Sequence, residues 1–245
     1  MKPERGDASS SAALMKQRER TERILDTASA LLLRWGYKRI TIDDIARHSG
    51  IGKGTIYLHW KTRESLFESL MLRETILIME ELIGRIRSDP AEVLLHRLMR
   101  SLLLITLERP LARALFTRDI DLLGKLAESS VSSELQTQQN YVFDEYLTLL
   151  RDRGLMRNDI PLSVQSYAFN ATVTGFLLID SMLVGEDRLA IEEKAQALAM
   201  TIQLAFEPAS PPAPHAVQEV ASRMSHLFEQ INASCKQQMK QFMGM

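Results

Sequence analysis

The chain has 245 residues, 45% of them hydrophobic, and its 30 basic and 31 acidic side chains nearly cancel. That apolar content suffices for the core of one large domain, or of a small domain and a larger one. A single cysteine, Cys235, excludes an intrachain disulfide framework and is typical of a reducing cytosol, so we expect a cytoplasmic protein. No run of about 20 uncharged apolar residues predicts a membrane span, and the charged N-terminus lacks the apolar segment of a secretory signal.

The charges are unevenly distributed along the chain. Residues 1–63 contain 13 of the 30 basic side chains but only 7 of the 31 acidic ones, which leaves the remaining chain net acidic. A basic N-terminal segment followed by an acidic remainder favours contact between the N-terminal segment and a polyanion such as nucleic acid. Chance clustering of charges on a solvated face explains these numbers equally well.

Apolar residues recur with helical spacing along nearly the whole chain, and strand signals are almost absent. We therefore predict an all-α protein of about ten helices, several of which begin at a proline or end at a glycine. The predicted helices span about 21–35, 41–49, 52–59, 62–85, 90–108, 110–116, 119–128, 131–152, 161–184, 187–206 and 213–245.

The most informative local pattern lies within residues 41–59. Thr41 followed three residues later by Asp44 is typical of a capping box at a helix start. The small side chain of Ala46 lets a following helix cross closely, and Gly50 can adopt the positive φ of a tight turn. The spacing therefore predicts a helix-turn-helix packed on the apolar stripe of the preceding helix.

The stretch GIGKGTIYLHWKT, residues 50–62, is rich in glycine, lysine and rings for its length. A helix beginning near residue 52 would present free backbone N–H groups and its positive dipole end to phosphates. Side chains on its outer face could reach base edges or donate to phosphates, whereas Trp60 is expected to brace the core. The residues available for DNA contact are Lys53, Gly54, Thr55, Tyr57, His59 and Lys61.

The segment RILDTASALLLRWGYKRITIDDIARHSGIGKGTIYLHWKTRESLF, residues 23–67, closely resembles the DNA-binding domain of the TetR (tetracycline repressor) family. The resemblance implies a dimeric repressor that binds double-stranded DNA at a palindromic operator and releases it when a small molecule enters the body. It also implies that Thr41 bonds a phosphate. Leu58 departs from the family, which often has an aromatic residue there, and Trp60 replaces the usual phenylalanine. The rest of the chain matches the family only in architecture.

The resemblance further implies an effector pocket among the fourth to eighth helices. The shortage of convergent charge there favours a largely apolar molecule. Each candidate is also compatible with an ordinary core position, and Asp180 is an additional polar candidate. The candidate pocket residues are His96, Met99, Leu103, Phe116, Gln139, Phe143, Tyr146, Tyr167 and Asn170.

The predicted helices at about 161–184 and 187–206 resemble the dimerisation pair of the family. Small residues in both helices would allow close packing in an isologous four-helix interface. Two-fold symmetry is also what a palindromic operator requires. The candidate interface residues are Ala171, Gly175, Leu178, Ala195, Leu198, Ala199 and Ile202.

These assignments predict a three-helix DNA-binding domain, a larger helical domain and an extra C-terminal helix. Basic residues in the N-terminal arm could follow DNA or lie in a solvated tail. The C-terminal stretch is unusual, because family members would end near Phe206, and its apolar stripe could cover the body, a partner subunit, another protein or lipid. We favour packing within the dimer. The boundaries are a flexible basic arm at 1–20, the DNA-binding domain at 21–66, the effector-binding and dimerisation domain at 67–207, and a Pro-rich linker with an amphipathic helix at 208–245.

We expect no enzyme activity, no cofactor and no metal site. The five histidines lack the spacing of metal ligands, no nucleophile-elbow pattern is present, and GIGKGT lacks the spacing and preceding strand of a P-loop. The alternative function is a non-catalytic protein–protein adaptor that acts through the C-terminal amphipathic helix. A DNA binder should show steep salt dependence, whereas such an adaptor should not.

Overall fold

The structure is a computed structural model that describes residues 6–179, 182 and 189–243. Within these ranges it is all-α with no strand, which confirms the predicted fold class. None of the described helices is long and apolar enough to cross a membrane. The helices are α1 (Gly6–Trp35), α2 (Ile42–Ser49), α3 (Lys53–His59), α4 (Arg63–Ser88), α5 (Leu95–Glu108), α6 (Pro110–Thr117), α7 (Ile120–Leu123), α8 (Ser130–Asp152), α9 (Leu162–Leu178), α10 (Ile191–Phe206) and α11 (Pro214–Phe242).

The first helix begins earlier than the sequence pattern indicated. Residues 6–20 are the first half of α1, so this part of the predicted flexible arm is helical. Ten of its 15 residues are alanine, leucine, methionine, lysine, arginine, glutamine or glutamate, which are strong helix formers, and no proline or glycine interrupts it after Gly6. Residues 1–5 of the predicted arm and the pocket candidate Asp180 lie outside the described residues.

Buried apolar side chains form two clusters that share α4. One cluster packs α1, α2, α3 and the first half of α4, and it extends to Leu126 before α8 and to Cys235 in α11. The other packs the second half of α4 with α5, α8, α9, α10 and α11, and it includes Tyr146, Phe169 and Phe228. A single 26-residue helix therefore belongs to the cores of both domains.

The C-terminal helix α11 packs along α4 of its own chain. Glu229 lies 2.7 Å from Arg87, and Lys236 lies 2.7 Å from Glu80, so residues that come later in α11 pair with earlier residues of α4. The two helices are therefore antiparallel. Of the placements considered for the apolar stripe of α11, the structure shows the one on its own body.

Candidate nucleic-acid interface and ligand cavity

A capping box and a left-handed glycine define the helix-turn-helix. The Thr41 backbone N–H donates to Asp44 Oδ2 at 3.0 Å, and the Asp44 N–H donates to Thr41 Oγ1 at 3.2 Å, which together fix the start of α2. Gly50 ends α2 with φ of 67°, a conformation that a side chain would strain. The Ile51 N–H then donates to the Ala46 carbonyl at 3.2 Å and directs the chain into α3.

The inner face of α3 is anchored by two fully buried side chains, Ile56 and Trp60. The Trp60 indole N–H donates to Ser69 Oγ at 2.8 Å, which satisfies the one polar atom of the ring inside the core. Ser69 in turn donates to the Ser65 carbonyl at 2.8 Å, within α4. Trp60 therefore braces the junction between α3 and α4, as the sequence predicted.

The outer face of α3 carries most of the residues predicted to contact DNA. Lys53, Gly54 and Lys61 are exposed, Thr55 is half-buried, and Tyr57 is 41% exposed. Leu58, which was not among the predicted contacts, is 77% exposed on the same face. Its spacing of two residues from both Ile56 and Trp60 was the available signal, since this places it away from the core.

His59 was predicted to hold a phosphate, and the structure contradicts this. Its side chain is buried beside the Trp60 ring, with the ring centroids 5.6 Å apart. Position 59 follows Ile56 by three residues and therefore shares the inner face of α3. Burial lowers the pKa of His59 below its ordinary value, and the positive charge of Arg20 lowers it further. The imidazole thus belongs to the packing between α3 and its neighbours.

Two of the predicted DNA contacts are engaged by acidic side chains of α2. Lys53 Nζ lies 2.7 Å from Asp43 Oδ2, and this hydrogen bond raises the pKa of Lys53. The Thr41 hydroxyl donates to Asp44 Oδ2 at 2.6 Å. A phosphate contact by the Thr41 hydroxyl requires replacement of its acidic partner, and one by Lys53 shares the ammonium with Asp43. Tyr57 and Lys61 have no such competitor among the described contacts.

Arg63, at the first position of α4, ties the helix-turn-helix to the body. It donates to the Ile40 carbonyl at 2.7 Å, and its guanidinium lies 4.0 Å from the centroid of the Tyr37 ring. The Tyr37 hydroxyl donates to Glu64 Oε1 at 3.2 Å, and the ring meets Phe67 edge-on at 5.1 Å. A displacement of the start of α4 therefore has to move the segment that leads into α2.

The body contains a cavity of about 580 Å³ at the other half of α4. Its volume lies within the range of small-molecule sites. Six of the predicted pocket residues line it, namely Met99, Phe116, Gln139, Phe143, Tyr146 and Asn170. The structure adds α4, through Thr75, Met79 and Leu82, and α11, through Met224, Phe228 and Ile231.

Three predicted pocket residues do not line the cavity. His96 is held by Glu207, with Nδ1 2.7 Å from Oε2, and so fastens α5 to the residue after α10. Leu103 is buried in the body core. Tyr167 is 79% exposed on the outer side of α9. Helical spacing alone had not distinguished these positions from the inward-facing ones.

The cavity has apolar walls and a polar side. Rings of Phe116, Phe143 and Phe169 supply much of the apolar surface, and the buried Tyr146 hydroxyl donates to the Val93 carbonyl at 2.7 Å. Amide side chains from α8 and α9 supply the polar side, and Asp144 is the one charged residue among those lining the cavity. The site thus favours a neutral or cationic apolar molecule over an anion. The lining amides are Gln136, Gln138, Gln139, Asn140 and Asn170.

The predicted dimer residues divide between two environments. On α9, Ala171, Gly175 and Leu178 are exposed, as a subunit interface requires. The four candidates on α10 are buried within the protomer, where that helix packs extensively on α5. The prediction was wrong for them, because a stripe of small and apolar residues serves packing on a helix of the same chain equally well. These four residues are Ala195, Leu198, Ala199 and Ile202.

The model of the N-terminal domain of "Bacterial regulatory proteins, tetR family" matches residues 24–70, which span the last part of α1, the whole helix-turn-helix and the start of α4. The chain therefore contains the DNA-binding domain of the TetR family. It is therefore a DNA-binding transcriptional regulator, which confirms the predicted function at this level, and the TetR family is a family of regulators rather than enzymes.

Proteins of known name or structure resemble this chain over most of its length. The "Probable acrEF/envCD operon repressor" of Escherichia coli strain K12 is 22% identical over 193 residues, which cover 76% of this chain and 86% of that protein. The SmeT–triclosan complex matches with a TM-score of 0.58 at 21% identity, over 80% of this chain and 96% of that one. NalD, the secondary repressor of the MexAB-OprM multidrug efflux pump in Pseudomonas aeruginosa, matches with a TM-score of 0.57 at 21% identity, over 80% of this chain and all of NalD.

Proposed function

We propose that this regulator is a cytoplasmic, non-catalytic repressor that binds a palindromic operator as a homodimer and releases it when a small apolar molecule occupies the cavity. The observation that carries the proposal is that α4 joins both sites. Arg63 at its start holds the helix-turn-helix segment, while Thr75, Met79 and Leu82 line the cavity. A ligand that repositions α4 therefore changes the placement of α3.

The exposed apolar stripe on α9 and α10 supports a dimer. Tyr167 is 79% exposed, Leu204 is 78% exposed, and Met200 and Val164 are each slightly more than half exposed. Large apolar side chains clustered on adjoining helices are typical of a protein interface. An isologous dimer through this stripe would present two α3 helices with the two-fold symmetry of a palindrome.

The effector class follows from the cavity lining. Apolar walls favour a lipophilic body, and the amides of α8 and α9 favour a hydrogen-bonding group on it. Triclosan, which is bound in the SmeT complex, has this character and is a suitable first probe.

The alternative of a protein–protein adaptor acting through the C-terminal helix is not supported. The apolar residues of α11 are buried against α4 and the rest of the body, including Val220, Met224 and Phe228. The apolar face that an adaptor would need for a partner is therefore already occupied.

Selection of retained sequences from randomised duplex DNA tests the operator proposal. We expect the wild-type chain to enrich a palindromic sequence at moderate salt and Tyr57→Ala to lose that enrichment. Tyr141→Ala is the matched control, because Tyr141 is also an exposed tyrosine, at 64%, but lies on α8. Enrichment of a non-palindromic sequence, or equal enrichment by Tyr57→Ala, would contradict the proposal.

The selected duplex then serves for tests of dimerisation and release. Leu204→Glu should convert the dimer to a monomer in sedimentation velocity and abolish operator binding, whereas Ser222→Glu on the exposed side of α11 should do neither. Triclosan should lower operator affinity in a titration followed by fluorescence anisotropy. Unchanged affinity at saturating triclosan, with binding of triclosan shown by calorimetry, would exclude release by this class of molecule.

A further inference from the structure

The C-terminal helix α11 lies against the cavity as well as against α4. Its residues Met224, Phe228 and Ile231 line the cavity. They are spaced by four and three residues and therefore occupy one face of the helix. Met224 is 1% exposed and Phe228 is 5% exposed, so both side chains lie in the interior of the protein.

Ion pairs on both flanks hold α11 in this register. Arg87–Glu229 and Lys236–Glu80 join it to α4, while Arg223 lies 3.2 Å from Glu145 of α8. Exposed pairs of this kind contribute little stability individually. Their value here is positional, because the pairs to α4 flank residues 230–235, immediately after Phe228, and the pair to α8 holds α11 at Arg223, next to Met224.

The helices around the cavity contribute different kinds of side chain to its lining. Helices α8 and α9 contribute its amides and Asp144 together with aromatic rings, whereas α11 contributes a thioether, a phenyl ring and an aliphatic group. Phe228 is the one aromatic residue among those of α11 that line the cavity. Removal of α11 would expose the α4 residues Met79 and Leu82, because the α11–α4 pairing is the most extensive contact between helices in the described structure.

A part of this chain has no counterpart in the matched structures. SmeT and NalD are matched over 96% and 100% of their lengths, yet they cover 80% of this chain. The resemblance to the TetR family implied an end near Phe206, and α11 begins at Pro214. A cavity wall contributed by α11 is therefore additional to what the resemblance implied.

We propose that α11 is the closing wall of the effector cavity and that Met224, Phe228 and Ile231 determine which effectors fit. The proposal rests on the proposed function, because it concerns the same cavity. A bulky residue at 228 excludes ligands by filling the space, and a small one admits larger ligands. The helix thereby sets which effectors the regulator binds, without contacting DNA.

The first test uses Nile red, a neutral lipophilic dye whose emission increases in apolar surroundings. The wild-type full-length chain should bind it saturably. Phe228→Trp should weaken dye binding by about tenfold or more, because added bulk in a filled site is unfavourable. Ala233→Trp, which adds a tryptophan on the exposed side of α11, is the matched control and should bind like wild type. Unchanged dye affinity in Phe228→Trp would overturn the proposal, as would the absence of saturable binding to wild type.

The second test is independent of how well Phe228→Trp folds. In a Cys235→Ser background, which removes the single native thiol, Met224→Cys places a thiol in the cavity wall and Ser222→Cys places one on the exposed side of α11. Saturating Nile red should slow modification of the first thiol by a maleimide by about tenfold or more, since a bound molecule covers it, and should leave the second rate unchanged. Equal rates with and without dye for Met224→Cys would overturn the proposal.

The two proposals fail in distinguishable ways. Protection of the Met224→Cys thiol without any effect of the dye on operator affinity would support the wall and contradict ligand-induced release. Loss of operator affinity on dye binding, with neither protection nor a defect in Phe228→Trp, would support release and overturn the role of α11.

Discussion

The outer face of α3 and the cavity of the body differ in nearly every physical property. The first is exposed, carries Lys53, is followed by the exposed Lys61 and is positioned by a buried tryptophan beneath it. The second has apolar walls, a side lined by amides and one carboxylate, Asp144, among its lining residues. Binding to the first depends on charge and so on salt, whereas binding to the second depends on buried apolar area and so on shape.

Because of this difference, the two sites can be altered separately, although α4 joins them. Substitutions on α3 should change DNA affinity and leave a dye in the cavity unaffected. Substitutions in the cavity wall should do the reverse, and only changes along α4 should affect both. A variant that violates this separation would show that the core clusters are more strongly coupled than their packing indicates.

The largest expected effect is that of Trp60→Ala. Truncation of a fully buried tryptophan costs about 3–5 kcal/mol, and it also removes the donor to Ser69. We expect the denaturant midpoint of the chain to fall and operator binding to be lost. Trp60→Phe, which keeps most of the ring volume, should retain operator binding with a smaller loss of stability. Comparable unfolding midpoints for wild type and Trp60→Ala would show that the ring does not brace α3.

A smaller effect is expected for Lys61→Ala. Loss of one phosphate contact should weaken operator binding at low salt and reduce the slope of log K against log salt by about one. Lys240→Ala, an exposed lysine near the end of α11, is the control and should leave the slope unchanged. Nile red affinity should be the same for both variants and nearly independent of salt. A slope that is identical in Lys61→Ala and wild type would remove Lys61 from the DNA interface.

The helix-turn-helix could be predicted from sequence because its determinants are local. The reciprocal bonds of Thr41 and Asp44 act over three residues, and the left-handed Gly50 acts on its immediate neighbours. His59 is the exception. Its inward direction follows from its spacing to Ile56, but that spacing was outweighed by the chemical suitability of an imidazole for phosphate.

The body could be predicted only in part, because its determinants are tertiary. On α10 the stripe that includes Leu198 and Ile202 was identified correctly as a packing face, yet its partner is α5 of the same chain and not a second subunit. On α11 the same holds for Met224 and Phe228, whose apolar stripe is visible in the sequence while the cavity beside it is not. The spacing of apolar residues shows which side of a helix is buried, but it does not show which element packs against that side.

A pH dependence is expected next in size, and it should be confined to the α3 side. Burial lowers the pKa of His59 below its ordinary value of 6.5, so the unfolded chain takes up the proton before the folded chain does as pH falls through that value. Stability is therefore lost below about pH 6.5 and is fully present above it. The thermal midpoint of wild type should fall between pH 7.5 and pH 5.5 more steeply than that of His59→Gln. Parallel profiles for the two proteins would mean that the imidazole is not buried in solution.

The smallest expected effect concerns the ion pair between Asp43 and Lys53. The Lys53 side chain is about half exposed and that of Asp43 about two-thirds, so the pair should contribute little to stability. Its effect on DNA binding should be larger, since Asp43 both engages the Lys53 ammonium and places a negative charge beside the predicted phosphate contacts.

Asp43→Asn should raise operator affinity by a few fold at low salt and lose that advantage as salt increases. Glu68→Gln, which removes a charge from α4 without touching α3, should leave affinity unchanged. Weaker operator binding by Asp43→Asn would instead show that Asp43 positions Lys53 for its DNA contact. Asp43 would then be part of the DNA-binding surface.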